Sequence, residues 1–223
     1  MSMHHDEMIE CPACHKKSSF RVWQSINTTI NPEMRKKVLD GSAFIFTCKH
    51  CGEHTLVDYG CIYHLMKDSI MIAYMVSDSM STMASDLFEG QGSDSPFEKD
   101  FKKHNYLLRT VRSQTELREK AHIFEDGLDD RIVEMCKLIM LAQLYEEHPE
   151  LYNKVTAYYT GEKEPHFELF SESDGLGTCN FSKEIYDALQ EQLAGQLPDI
   201  RKDVPVVDAE YAEKMLEKLM DKK

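Results

Sequence analysis

"IECPACHKKSSF" (Ile9–Phe20) and "FTCKHCGEH" (Phe46–His54) are the two stretches on which the reading of this chain turns. Each carries two cysteines separated by two residues: Cys11 and Cys14 in the first, Cys48 and Cys51 in the second. Two residues between ligands let a tight turn aim both thiolates at one ion, and two such turns supply four sulfurs in a tetrahedron. Gly52 follows the second pair, where a residue without a Cβ eases the turn. His15 stands at the corresponding place after the first. Thirty-three residues separate the inner cysteines, more than the roughly 15–20 usual between such pairs. The segment between them explains the excess. Phe20–Ile26 alternates and is rich in β-formers, Asn31-Pro32-Glu33 opens a helix that Asp40-Gly41 ends, and Ala43–Thr47 reads as a strand. The expectation is a β-ribbon with an inserted helix at its tip, held by Cys11, Cys14, Cys48 and Cys51 around Zn²⁺, with a single iron as the alternative for the same four sulfurs. Lys16, Lys17 and Lys49 are placed to offset the thiolate charge. A thioredoxin-like dithiol needs one pair in a βαβ context, which is absent.

Four cysteines close the coordination shell, whereas catalytic zinc keeps a position open for water. The expected role is therefore structural. His15, His50, His54 and His64 lie near the cluster in sequence and are read as surface or supporting residues.

The rest of the chain bounds the answer further. It has 223 residues and a net charge of −13. The excess acid is C-terminal: residues 1–60 carry 7 Lys+Arg and 7 Asp+Glu, residues 122–223 carry 11 and 23. That acidity opposes a phosphate-binding surface in the C-terminal half. The first ten residues, MSMHHDEMIE, are acidic with no apolar stretch, so no secretory leader is expected. The longest apolar run, Ile70–Val76, is about a third of a membrane span. Seven cysteines without a leader favour metal or redox chemistry over disulfides, and a cytoplasmic location.

A Ser-, Asp- and Gly-rich segment, Ser77–Pro96, suggests the domain boundary: residues 1–92 as a zinc-ribbon-like β domain and 93–223 as an acidic α+β domain, an α+β fold as a whole. The strand Tyr106–Val111 is compatible with either side. Thr55–Tyr59 and Ile70–Val76 are further strands. Ser113 and Glu116 form a capping box, Gly127 ends that helix, and Asp129 or Asp130 starts the next. Its apolar face holds Ile132, Val133, Cys136, Ile139, Met140 and Leu144, and Pro149 ends or interrupts it. A short sheet (Val155–Tyr159, Phe167–Phe170, Thr178–Phe181) and helices at Lys183–Leu193 and Ala209–Met220 complete the reading.

Weaker features are read plainly. Cys61, Cys136 and Cys179 are single cysteines; Cys136 is core, Cys179 has no base paired with it, and DGLGTCNF is a hairpin turn. The carboxylates of Glu125–Asp130 are helix caps more than a second cation site.

The stretch EMIECPACHKKSSFRVWQSINTTINPEMRKKVLDGSAFIFTCKHCGEHTLVDYGCIYH (Glu7–His64) resembles the CpXC domain family of bacterial and archaeal proteins. The matching features are the C-P-x-C pair, Trp23-x-Ser25-Ile26-Asn27, the helix Pro32–Gly41, C-x-x-C-G and Tyr63-His64. LREKAHIFEDGLDDRIVEMCKL (Leu117–Leu138) is similar to the downstream part of such proteins, so the resemblance covers about residues 8–140. It implies zinc binding and no known activity. The pattern often has an acidic residue after Tyr-His; here Leu65 follows. With no acid, base and nucleophile assembled, the reading is a non-enzymatic adaptor whose partner is another protein. Nucleic acid is the alternative for residues 1–92, through Lys16, Lys17, Arg21, Arg35, Lys36 and Lys37, and an enzyme with a C-terminal active site is the third reading.

Overall fold

A computed structural model describes residues 2–77, 105–161, 164–172 and 174–220. Residues 78–96 of the Ser- and Gly-rich segment, and the boundary drawn inside it, lie outside the described residues. The chain forms two compact units, Met1–Arg118 and Glu119–Lys223. Five α-helices and three sheets are present among the described residues, so the α+β class holds.

In the first unit, β1 (Met3–Glu10) and β2 (Lys17–Asn27) form an antiparallel hairpin with Glu10 opposite Lys17 at its end. β2 then pairs in parallel with β5 (Cys61–Leu65) over Ser25–Asn27. β6 (Ile70–Tyr74) lies antiparallel to β5, and β7 (Leu107–Val111) parallel to β6. The sheet order is β1-β2-β5-β6-β7, which places the strand at 107–111 in the first sheet. Every residue of β6 is buried, as a continuous apolar run in a central strand should be.

A second hairpin, β3 (Ile45–Thr47) and β4 (His54–Leu56), stands by itself as a two-stranded sheet. Between β2 and β3 runs α1 (Pro32–Leu39), which buries Met34 and Val38 one turn apart. Helix α1 thus joins two hairpins. The strands flanking it do not pair with each other, because β2 is claimed by β1 and β5. Ala43 and Phe44 belong to a 3₁₀ turn, Ser42–Phe44, and only then does β3 begin. Asn31 occupies the N-cap position without capping; its amide donates to Glu33 (3.0 Å).

Helix α2 (Gln114–Glu125) opens with one half of the expected capping box, Glu116 N–H donating to Ser113 Oγ (3.1 Å), while the Glu116 carboxylate accepts from Arg112 N–H (2.8 Å). In the second unit, α3 (Asp130–Glu147) is capped by Asp129, whose carboxylate accepts from Arg131 N–H (3.0 Å). An antiparallel sheet follows in the order β10-β9-β8: β8 (Thr156–Thr160), β9 (His166–Ser171) and β10 (Asp174–Asn180). The Gly-x-Gly of DGLGTCNF lies inside β10, where the register shifts between Gly175 and Gly177, and not in a turn. Helices α4 (Lys183–Gln192) and α5 (Ala209–Met220) complete the unit. Ile132, Val133 and Cys136 sit in its core with Tyr159, Phe167 and Tyr186, while Ile139, Met140 and Leu144 pack at its edge.

Candidate metal centre

Each C-x-x-C pair forms the tip of one hairpin, between β1 and β2 and between β3 and β4. The two tips share a backbone pattern position for position. Cys11 N–H donates to the Lys16 carbonyl (3.1 Å) and His15 N–H to the Cys11 carbonyl (2.9 Å). In the second tip Cys48 N–H donates to the Glu53 carbonyl (2.8 Å) and Gly52 N–H to the Cys48 carbonyl (2.9 Å). The residue after each second cysteine is left-handed: φ is 55° at His15 and 79° at Gly52. Gly52 is there for its conformation, since a Cβ at that position would meet nothing within 4 Å. His15 adopts the same backbone at a steric cost that glycine does not carry.

The tips bring all four Sγ atoms within 4.8 Å of one another. Cys11 Sγ stands 3.6 Å from Cys51 Sγ, and Cys14 Sγ 3.7 Å from Cys48 Sγ. A tetrahedron with metal–sulfur bonds of about 2.3 Å has edges of about 3.8 Å. The cage therefore fits one tetrahedral thiophilic ion, zinc or a single iron. Cys11 and Cys48 are 0% and 2% exposed and pack with Phe46; Cys14, Ile9, Phe20 and Val57 pack around them. Cys51 is exposed.

The electrostatics of the free thiols are compatible with a cation held among them. His50 N–H donates to Cys48 Sγ (3.4 Å), and this bond leads in pulling the Cys48 thiol down to about 6. Cys51 also receives a favourable backbone hydrogen bond from Glu53, but the neighbouring thiols of Cys14, Cys11 and Cys48, with burial, outweigh it and push Cys51 up to about 12. One thiolate discourages the next at this distance, and a bound dication reverses that preference for all four.

The nearby histidines stay out of the cage. His15 faces Glu10 (3.6 Å), His54 Nδ1 is bonded to Thr47 Oγ1 (2.9 Å), and His50 Nε2 lies 3.4 Å from the Lys17 carbonyl. His64 is buried between Asn27 (Nδ1, 3.3 Å) and Tyr106 (Nε2, 3.0 Å). Asn27 also accepts from the Thr29 and Ile30 amides (3.0 and 3.3 Å), which shapes the approach to α1. The Trp23–Asn27 and Tyr63-His64 motifs thus meet in the sheet and not at the metal cage. Lys16, Lys17 and Lys49 are all exposed around the tips.

The carboxylates of Glu125–Asp130 do not gather. Asp126 accepts from the Tyr159 hydroxyl (2.7 Å), and Asp129 caps α3 and grips Arg131 (2.7 Å). Asp130 is wholly buried and meets Lys120 (3.1 Å). From there an alternating chain of charges runs through the second unit. Lys120 binds Glu134 (3.1 Å), Glu134 binds Lys137 (3.0 Å), Lys137 binds Glu119 (2.6 Å), and Glu119 accepts the Tyr159 amide (2.7 Å). All five side chains are buried. The helical spacing of Asp130, Glu134 and Lys137 is the one trace of this chain in the sequence, and by itself it does not set them apart from solvated helix residues. Among the described residues, no other set of three or more His, Cys, Asp or Glu gathers its ligand atoms as the four cysteines do.

The sequence model described as "CpXC protein" matches residues 9–137, more than half of the chain and all four cysteines. No curated protein and no solved structure matches. The matched span takes in the first cysteine turn, β2, the inserted helix, the second hairpin, β5 to β7 and the start of α3, so this chain belongs to the CpXC protein family.

Proposed function

We propose that the four cysteines hold Zn²⁺ as a structural ion and that the protein works without catalysing a reaction, as a cytoplasmic adaptor for another protein. The observation that carries this reading is the closed donor set: four sulfurs at tetrahedral spacing leave no position for water or substrate. The buried charges of the second unit fit it as well. Each acid in the chain from Asp130 to Glu119 is held by a lysine, so none is positioned as a free acid or base. No helix among the described residues is long and apolar enough to cross a membrane. The nucleic-acid reading is the weaker one, because Arg21 is engaged by Asp6 (3.0 Å).

Metal analysis of purified protein, combined with capture of partners by intact and Cys14→Ser protein, tests the reading. The expected result is one zinc per chain and a protein partner retained by the intact form. A protein free of metal after reconstitution with zinc, or salt-sensitive capture of nucleic acid in place of protein, would sink it.

A further inference from the structure

The two hairpin tips share a backbone but not an environment. Cys11 and Cys48 are walled in by Phe46, and Cys14 packs against the same cluster. Cys51 lies at the rim, in a run from Lys49 to His54 in which every residue is exposed. A thiolate keeps nucleophilic character when bound to zinc, and among chemically similar thiolates the accessible one reacts first. The Cys11 sulfur stands 3.6 Å from that of Cys51, so a second sulfur is in place to attack the first.

Resting on the zinc reading above, we propose that Cys51 is an oxidation site: a hydroperoxide oxidises it, Cys11 closes on it as a disulfide, and the metal is released. The Cys51 thiolate attacks the terminal peroxide oxygen. An S–O bond forms, the O–O bond breaks and hydroxide (or alkoxide) leaves, with sulfur oxidised by two electrons and the peroxide reduced. The Cys11 thiolate then attacks the Cys51 sulfur; the S–S bond forms, the S–O bond breaks and a second hydroxide leaves. Two thiolates and one peroxide become one disulfide. Cys14 and Cys48 remain, half the donor set, which is too few to retain the ion against water. They stand 3.7 Å apart, so a second peroxide converts them in the same way.

The pairing matters for the outcome. Cys11 and Cys51 belong to different hairpins, so this disulfide ties the tips together as the metal leaves. Oxidation would then exchange one crosslink for another and keep the hairpins joined. A disulfide within either C-x-x-C pair would instead part them. A thiol reductant with zinc reverses the change.

Zinc-loaded full-length protein is titrated with hydrogen peroxide in the presence of a colorimetric zinc chelator, with peptide mass spectrometry of alkylated samples at each step. The expected result is zinc release in step with a first disulfide between Cys11 and Cys51. Short exposure of zinc-loaded protein to N-ethylmaleimide should label Cys51 about tenfold faster than Cys11 or Cys48. Buried Cys61 and Cys136 serve as slow internal standards. Zinc retained while peroxide is consumed, a first disulfide within one pair, or earlier labelling of Cys14 overturns the proposal and leaves the structural zinc reading intact. Failure to load zinc at the outset overturns that reading instead.

Discussion

Tyr63 and Tyr159 are both fully buried, in β5 and β8, yet their hydroxyls fare differently. Burial pushes the Tyr63 phenol up, and its hydroxyl has no hydrogen-bond partner among the described residues. The Tyr159 hydroxyl donates to Asp126 (2.7 Å), and the space this carboxylate needs is kept open by Gly161, whose added Cβ would fall 2.2 Å from it. Removing an unpaired buried hydroxyl relieves a desolvation cost, whereas removing a paired one strands its partner. Tyr63→Phe is therefore expected to stabilise by about 1 kcal/mol and Tyr159→Phe to destabilise by about 1–3 kcal/mol. Chemical denaturation of both variants checks the opposite signs; equal effects would refute the distinction. His64 adds a pH dependence. Asn27 donates to its Nδ1, so Nε2 carries the proton toward Tyr106, and burial pushes the imidazole down to about 4. Between the ordinary value near 6.5 and about 4, the unfolded chain binds a proton that the folded chain refuses. Stability is thus lost as pH falls through that window, by up to about 3 kcal/mol. His64→Gln should show a shallower loss over the same range, with thiolate protonation common to both proteins and cancelling in the difference. Parallel curves for the two proteins would count against a buried neutral His64.

Elements whose residues carry their own pattern were legible in the sequence. Helix α1 shows Pro32 at its start and Gly41 at its end, β6 is an unbroken apolar run, and α2 opens on the Ser113 half of its capping box. β1 was not legible: MHHDEMIE is exposed on both faces and has no alternation, so only its pairing with β2 makes it a strand. β5 was missed because its run, CIYHL, is short and carries a histidine whose burial depends on Asn27 from a distant strand. The cysteine cage was readable because ligand spacing is a local property. The buried chain of charges was not, because Glu119, Lys120, Asp130, Glu134 and Lys137 look like solvated helix residues until α2, α3 and β8 are packed together. That chain ties α2, α3 and β8 to one another. Asp130, at its end, lies in the first turn of α3, where the helix dipole favours its charge. Glu119, at the other end, is held by the Tyr159 amide, although burial raises its carboxyl. Lys137→Met leaves two acids facing each other and is expected to cost about 3–5 kcal/mol. Adding Glu119→Gln and Glu134→Gln to that variant removes the stranded charges and should restore part of the loss. Urea denaturation of the single and triple variants decides it; a triple variant no more stable than the single one would show that the charges do not act as a chain.

At the scale of the molecule, each unit buries apolar residues of its own, and the four clustered cysteines belong to the first. The second has an apolar core built around Val133, Met135, Tyr159 and Phe167, together with its ion chain, and contains none of the four clustered cysteines. Among the described residues, the tips of the two hairpins in the first unit rest on a cluster of Phe46 with Cys11 and Cys48, against which Ile9, Phe20 and Val57 pack. Between Cys14 and Cys48 the chain leaves the first hairpin, runs through α1 and returns in a separate sheet, so no backbone ladder joins β3 to β2. An ion held by the four cysteines would add a link between these hairpins beyond the packing of Phe20 against Phe46, and structural zinc contributes about 10–16 kcal/mol to the folding of small zinc-finger peptides. Its removal should therefore act locally. Hydrogen exchange read by mass spectrometry, before and after treatment with a strong chelator under reducing conditions, is expected to show amide protection lost over residues 9–60 and kept over the second unit. Circular dichroism should show a partial loss of signal that zinc restores. Protection unchanged at the hairpins would mean that the four thiols are packed well enough without an ion. Protection lost equally from Glu119 onward would mean that the second unit depends on the metal despite containing none of its ligands.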